Sequence, residues 1–279
     1  MEIQVIKTLG DKVLDSPLSS IGDKGLFTKE IEHALRDRTV DLAVHSLKDV
    51  PTGLPAGLTI GSIGEREDPR DAFIGHPSKP HQHFAQLSRG AVIATGSLRR
   101  KSQLLRHRPD FRIADIRGNL NTRLKKLEES SWDGMVLARA GVTRLGWESK
   151  ITDVLSFDLM LPAVGQGALA IEIREDDNRV AKIVRALHHE PTAIAVLGER
   201  ALLRFLEGGC QVPIGAHGRI EGDRFLLDAV IGSLDGTRAV RGSITGPPAE
   251  ASKLGENLAR QLLADGGREI LDEIRAASA

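Results

Sequence analysis

The sequence is short of several things at once. It has one cysteine, Cys210, and no tyrosine. A lone cysteine excludes an internal disulfide framework and cannot build a thiolate zinc site. It fits a reducing compartment, so a cytoplasmic location is expected. Aromatic residues make up only 3% of the chain, so base-stacking platforms for nucleic acid are not expected. Lys plus Arg equals Asp plus Glu at 38 each, which leaves no global field to draw in a polyanion. No nucleic-acid partner is therefore expected. There is no apolar run of about 18 residues to span a bilayer. The first residues lack the basic start and long apolar core of a signal peptide, so no membrane association is expected. Phosphate-loop, dinucleotide and nucleophile-elbow motifs are missing too. The nine histidines show no zinc-site spacing, and no metal is expected.

What is present suits two or three ordinary domains: 279 residues, 41% of them hydrophobic. Residues 2–8 alternate apolar and polar and predict a strand. Residues 15–24 form a Ser/Gly/Pro loop. Phe27, Ile31, Ala34 and Leu35 lie at helical spacing, predicting an amphipathic helix over 25–37. Strands are predicted at 41–46 and 57–64. A dense charge run at 65–71 around Pro69 marks a hinge or domain edge, and 75–83 reads as a surface excursion.

A second unit begins at residue 91. Strands at 91–95, 112–116 and 134–138 alternate with helices at 98–107 and 120–129, and Ser97 is the natural N-cap of the first. This pattern predicts an α/β domain with a largely parallel sheet. Residues 168–173 form a further apolar strand after a Gly-rich entry. The last third changes character. A helix at 192–205 precedes a Gly/Pro-rich loop at 206–216 around Cys210. Three strands between 219 and 246 and helices at 251–264 and 268–276 follow, a small α+β domain.

Three places can carry chemistry. Gly208 and Gly209 before Cys210, with Pro213 and Gly215 after it, are loop chemistry rather than core packing. Cys210 is thus either an attachment point or a nucleophile. Ser97, Arg99 and Arg100 sit at a strand-to-helix turn, where free backbone N–H groups already favour an anion. Arg117 and Gly118 leave the next strand at its carboxyl end, where α/β sheets bind ligands. Several guanidinium groups at one rim suit a ligand bearing many carboxylates or phosphates. Lys48 and Asp49 follow a buried strand, again at its carboxyl end. Asp49 alone would read as a turn cap. Opposite an arginine rim, it can stabilise a cation formed within a polyanionic ligand.

Five stretches, in order, carry a resemblance. They are Asp41-Leu-Ala-Val-His-Ser-Leu-Lys-Asp-Val-Pro51, Gly96-Ser-Leu-Arg-Arg100, Arg117-Gly-Asn-Leu-Asn-Thr-Arg123, Leu161-Pro-Ala-Val-Gly-Gln-Gly-Ala168 and Leu206-Glu-Gly-Gly-Cys-Gln-Val-Pro-Ile-Gly215. Together they resemble the porphobilinogen deaminases, or hydroxymethylbilane synthases, from residue 3 to the C-terminus. The resemblance implies an α/β fold of two periplasmic-binding-protein-like lobes joined by two crossing segments, plus a small C-terminal α+β domain. That places residues 1–65 with 168–185 in domain 1, 70–161 in domain 2 and 190–279 in domain 3.

The implied reaction joins four porphobilinogen molecules head to tail with release of ammonia. Growth occurs on a dipyrromethane cofactor held by a thioether, here to Cys210. By the same resemblance Asp49 is the catalytic carboxylate. Arg99, Arg100, Arg117, Arg123 and Arg144 bind substrate and cofactor carboxylates. Lys48, Ser46, Thr95, Ser97 and Gly118 add contacts, and Lys24 closes over the site from the 15–24 loop. A monomer is expected. Two departures stand out. Where the family has Thr-Ser-Ser, this chain has Thr95-Gly96-Ser97, one hydroxyl fewer. It also begins after the family's opening strand and helix with their Arg-x-Ser-x-Leu-Ala motif. An unpaired edge and an uncovered apolar face are therefore expected in the first lobe, from a start placed too late or a truncated, inactive deaminase. A non-catalytic two-lobed module for a small polyanion is the alternative function.

Overall fold

Three separate β-sheets, each with its own helices, make up the protein. The computed structural model describes residues 2–8, 28–79, 82–206 and 212–278. In chain order, helix α1 (Lys29–Arg36) leads into β1 (Leu42–Ser46) and, after an irregular passage, β2 (Leu58–Ile63). The acidic residues of α1 fall in its first turn and Arg36 in its last, matching the helix dipole. The second unit holds β3 (Asp71–Gly75), β4 (Val92–Ala94), α2 (Leu98–His107), β5 (Arg112–Ala114) and α3 (Leu120–Glu128). It continues with β6 (Gly134–Ala138), α4 (Arg139–Arg144) and the two-residue β7 (Asp153–Val154). The chain then returns to the first unit through β8 (Leu169–Arg174) and α5 (Asn178–Val184). It ends with α6 (Glu190–Phe205), β9 (Ile214–Glu221), β10 (Arg224–Gly232), β11 (Ala239–Gly246), α7 (Ala251–Leu262) and α8 (Arg268–Ser278).

The first sheet has the order β1-β8-β2, with β8 antiparallel to both neighbours. Val44 faces outward from β1 and is 60% exposed. The strand predicted at 2–8 is not formed: no sheet pairs with those residues, and Ile3 and Val5 are exposed. Alternation supplies a strand with a face but not with a partner, and the hydrogen-bonded partner makes the strand. The helix predicted over 25–37 is described only from Thr28 onward.

The second sheet has the order β5-β4-β6-β3-β7. Strands β4, β5 and β6 are parallel, as predicted, but β3 runs antiparallel to β6 and to β7. Strand β3 was hidden by the charge run before it: only Ala72, Phe73 and Ile74 look like strand, and all three are buried. Its core gathers Phe73, Phe84, Phe111 and Leu104. Fully burying each such side chain is worth about 1.5–3 kcal/mol.

The third sheet is the antiparallel meander β11-β10-β9, packed on α6, α7 and α8 around Phe225, Leu227, Leu202 and Leu258. Its first strand begins at Ile214, five residues ahead of the predicted start, inside the stretch read as loop.

Two segments, 64–70 and 161–168, carry the chain between the first two sheets, and they touch each other. Glu67 N donates to Gly167 O at 3.3 Å, and Gln166 Nε2 donates to Pro69 O at 2.7 Å. Among the described residues no helix is long and apolar enough to cross a membrane.

Candidate active site

Strand β1 runs out at Ser46 and tightens into a 3-10 turn, Leu47–Asp49, closed by Val50 N donating to Leu47 O at 3.2 Å. Leu47 is buried and anchors the turn, which leaves Lys48 and Asp49 presented at the carboxyl end of the strand. Water still reaches Asp49, but protein atoms crowd the rest of its carboxylate. That crowding raises its pKa. The charges of Lys48, His45 and Arg123 pull it back down. Burial lowers the pKa of Lys48, Asp49 counters this, and Arg100 and Arg99 lower it further.

Across from this turn stand the arginines of the second sheet. Strand β4 ends at Ala94, and Thr95 and Ser97 shape the turn into α2. Ser97 N donates to Thr95 Oγ1 at 3.3 Å, and Ser97 Oγ accepts from Arg100 N at 3.5 Å. Gly96 lies between them. A Cβ there would meet the Ile116 carbonyl at 2.7 Å, so the hydroxyl missing from this chain would not fit without a shift. The next turn has the same logic. Gly118 sits at φ +108°, a left-handed conformation that side chains resist, and its carbonyl accepts from Arg123 Nε at 2.7 Å. Asn119 caps α3 by accepting from Thr122 N at 2.9 Å.

The structure brings Lys48, Asp49, Arg99, Arg100, Arg117 and Arg123 into one electrostatic neighbourhood. It divides the arginines expected to share one open rim. Arg99 and Arg100 are each 5% exposed and engaged by Asp71, the first residue of β3. Arg99 Nη1 donates to Asp71 Oδ2 at 2.7 Å, and Arg100 Nη2 to Asp71 Oδ1 at 2.8 Å. Gln166 donates to the same carboxylate at 2.9 Å. Burial opposes ionisation of Asp71, but Arg100, Arg99 and these hydrogen bonds outweigh it and hold its carboxyl below the ordinary range.

Arg117 and Arg123 have no such resident. Arg117 Nε stands 3.5 Å from Asp115 without a hydrogen bond. Arg123 has its pKa lowered to about 10, first by burial and then by Arg100 and Arg117. A buried nitrogen also remains unsatisfied on Arg99, at Nε. Orphaned guanidinium donors and mutually repelling cations are the signature of a place built to receive several negative charges. The donor set therefore fits a small ligand with several carboxylates, and Asp49 faces it from the first sheet, across from Asp115 on the arginines' own side.

Other expected residues fall elsewhere. Arg144 ends α4, is exposed, and donates to Gly167 O at 2.9 Å, on a crossing segment. Ser46 is half-buried at the end of β1. Cys210 and Lys24, with the 15–24 loop, lie outside the described residues. Sequence reasoning missed Asp71, Gln166, Arg66, Glu199 and Arg200. Glu199 is fully buried on α6. It takes Arg66 at 2.6 and 3.2 Å and the amides of Gly165 and Gly218 at 2.7 Å each, joining all three units. The signal for Glu199 was only its charge after an apolar run, and Arg66 gave none within the charge run 65–71. Among the described residues no cluster of His, Cys, Asp and Glu could hold a metal ion.

A family profile described as "Porphobilinogen deaminase, dipyromethane cofactor binding domain" matches residues 1–182, and one described as "Porphobilinogen deaminase, C-terminal domain" matches residues 193–264. Proteins named porphobilinogen deaminase from Desulforamulus reducens, Geobacter sulfurreducens and Carboxydothermus hydrogenoformans are 50%, 53% and 52% identical to this chain. The alignments cover 99%, 98% and 98% of this chain and 88%, 85% and 87% of those proteins. Among solved structures, an "ABC transporter / periplasmic binding protein from Brucella ovis with glutathione bound" aligns over 64% of this chain and 53% of that one, at 17% identity and a TM-score of 0.35. That likeness is too loose to argue from.

Proposed function

The chain belongs to the porphobilinogen deaminase family, and from that premise we propose how its residues divide the work. Membership makes it a transferase of tetrapyrrole biosynthesis that takes porphobilinogen as substrate, uses a dipyrromethane cofactor and forms hydroxymethylbilane. The family is one of enzymes, so nothing favours the binding-module alternative. The observation that carries the residue roles is the excess of buried, partly unsatisfied guanidinium groups around Asp49.

Porphobilinogen bears two carboxylates, so each added unit brings negative charge. Arg117 and Arg123 bind those carboxylates directly; the acid beside Arg117, Asp115, is exposed and makes no hydrogen bond to it. Arg99 and Arg100 share themselves between Asp71 and the ligand, Arg99 through its free Nε. Lys48 adds a further cation. Ser46, Thr95, Ser97 and the Gly118 backbone complete the walls, with Arg144 and Lys24 at the margins. Cys210 carries the cofactor through a thioether, and the cofactor, when bound, supplies the pyrrole on which the chain grows.

As a substrate loses its side-chain amine as ammonia, positive charge spreads over its pyrrole ring. Asp49 lies where one carboxylate can take the ring N–H and balance that charge. Burial raises its pKa, and the charges of Lys48, His45 and Arg123 work against that rise, in favour of the ionised form. We also place domain 1 at 1–65 with 168–185, domain 2 at 70–161 and domain 3 at 190–279, a division supported by the three sheets. The two periplasmic-binding-protein-like lobes then face each other across the Asp49–arginine site. We also propose a reducing, cytoplasmic setting and a monomer working without membrane or nucleic-acid partners; the single cysteine supports the setting, and the balanced charge and few aromatics support the lack of a nucleic-acid partner.

Asp49→Asn keeps the shape of the side chain and removes its charge. Turnover should fall about 100- to 1000-fold, the loss typical of one preorganised stabilising group. Cofactor content, read as intact mass and colour with Ehrlich's reagent, should fall much less. Near-normal turnover by Asp49→Asn refutes the role. Cys210→Ser should remove both the mass increment and the colour.

A further inference from the structure

After Asp49 the chain has nothing regular to hold it. Val50, Pro51, Thr52 and Gly53 belong to no helix or strand, and Pro51 has no N–H to give a neighbour. Three successive carbonyls, 50 to 52, are instead held from another unit. Arg200 Nη1 donates to Val50 O at 3.1 Å and Nη2 to Pro51 O at 2.7 Å. Arg204, one turn further along α6 and on the same face, donates to Thr52 O at 2.5 Å.

Arg200 is an odd choice for packing alone. Its side chain is buried, and no carboxylate among the described residues pairs with it. Burial and the nearby charge of Arg204 lower its pKa to about 10. An uncompensated buried guanidinium is expensive, and an aliphatic side chain would fill the space at less cost. What the aliphatic residue would lack is a rigid two-pronged donor for the carbonyls of the two residues after Asp49. The helix presenting it is itself fixed. The preceding residue, Glu199, is tied to Arg66 and to the Gly165 and Gly218 amides.

We infer that Arg200 is a positioning residue for Asp49, its guanidinium fixing the carbonyls of Val50 and Pro51 so that the Asp49 turn keeps its place in the site. This rests on the reading of Asp49 as the carboxylate that balances charge on the substrate. Helix α6 also leads, past Leu206, toward Cys210. One rigid element therefore sets the carboxylate and runs into the loop assigned to the cofactor.

The test is a double-mutant cycle on the cofactor-loaded enzyme. Arg200→Met keeps the length of the stem and removes the donors. Its kcat should drop about 10- to 100-fold, the scale of a misplacement near one ångström. KM should stay within about 3-fold and cofactor mass should be unchanged, because no carboxylate-binding group is touched. In an Asp49→Asn background the same substitution should change kcat by less than about 2-fold, since there is no longer a charge to position. Arg200→Lys keeps the charge but not the fork, and should lose an intermediate amount of kcat at unchanged thermal unfolding. It decides the matter if Arg200→Met does not fold. The inference is overturned if folded Arg200→Met or Arg200→Lys retains the parent kcat, or if the losses of Arg200→Met and Asp49→Asn multiply. Unimpaired turnover by Asp49→Asn alone overturns instead the reading beneath it.

Discussion

Arg99 and Arg100 open a helix after one parallel strand, and Arg117 and Arg123 flank the start of a helix after the next. In sequence the two pairs carry the same chemistry at the same kind of strand end. In the structure they differ in one respect, a resident anion. Asp71 satisfies the first pair from within the fold, at 2.7 and 2.8 Å. The second pair has only Asp115, exposed and not hydrogen-bonded to Arg117. Guanidinium groups at a rim are therefore not one population. A pair with its own carboxylate holds the protein together and can lend itself to a ligand. A pair without one is stressed until a ligand arrives.

Removing the resident anion should break the difference most violently. Asp71→Asn leaves two buried guanidinium groups uncompensated and should destabilise the protein by about 3–5 kcal/mol in denaturant unfolding. The pH dependence follows with a definite sign. The folded-state pKa of Asp71 lies below its ordinary value of 3.8, so its stabilising contribution is complete above that pH and is lost as pH falls below it. Asp71→Asn should flatten that part of the acid unfolding curve. A variant as stable as the parent would show that Arg99 and Arg100 do not depend on Asp71.

The second pair should answer in binding rather than in stability. Arg123→Leu should raise KM about 10- to 100-fold, the worth of a charged hydrogen bond to a ligand carboxylate. Its unfolding free energy should stay level or rise, because it removes a buried cation facing Arg100 and Arg117. A loss of stability matching that of Asp71→Asn would erase the distinction between the pairs. The smallest effect lies in the caps. Asn119 holds its amide at 2.9 Å and Ser97 at 3.5 Å. Asn119→Ala should cost about 1 kcal/mol and Ser97→Ala about half that, by thermal unfolding.

The local elements around these residues could be read directly from the chain. The Ser97 cap, the β4–α2 and β5–α3 alternation and the placement of Asp49 after a buried strand all follow from short-range rules. The five motifs led to the family. What stayed hidden was long-range. Asp71 looked like the end of a charge run because its strand offers only three apolar residues. Its partners lie 28 and 29 positions away and on a different element. Glu199 and Arg200 are consecutive on α6, and nothing in the sequence tells what either side chain meets. One faces Arg66 and the other faces the carbonyls after Asp49. Helical geometry gives the direction of each side chain, but not what another unit brings to meet it. The 2–8 segment failed the opposite way, with a pattern of the right period and no pairing to either edge strand of the first sheet.

The place of Asp71 also has a mechanical side. It is the first residue beyond one crossing segment, and Gln166, on the other, bonds both to it and to the carbonyl two residues before it. Arg99 and Arg100 are thus fastened at the point where the two straps are sewn together. A carboxylate that tugs on either guanidinium loads that seam directly, with no lever arm in between. The anion-binding side chains and the joint between the first two sheets thus share one carboxylate, so a ligand's pull on either guanidinium falls on the joint itself.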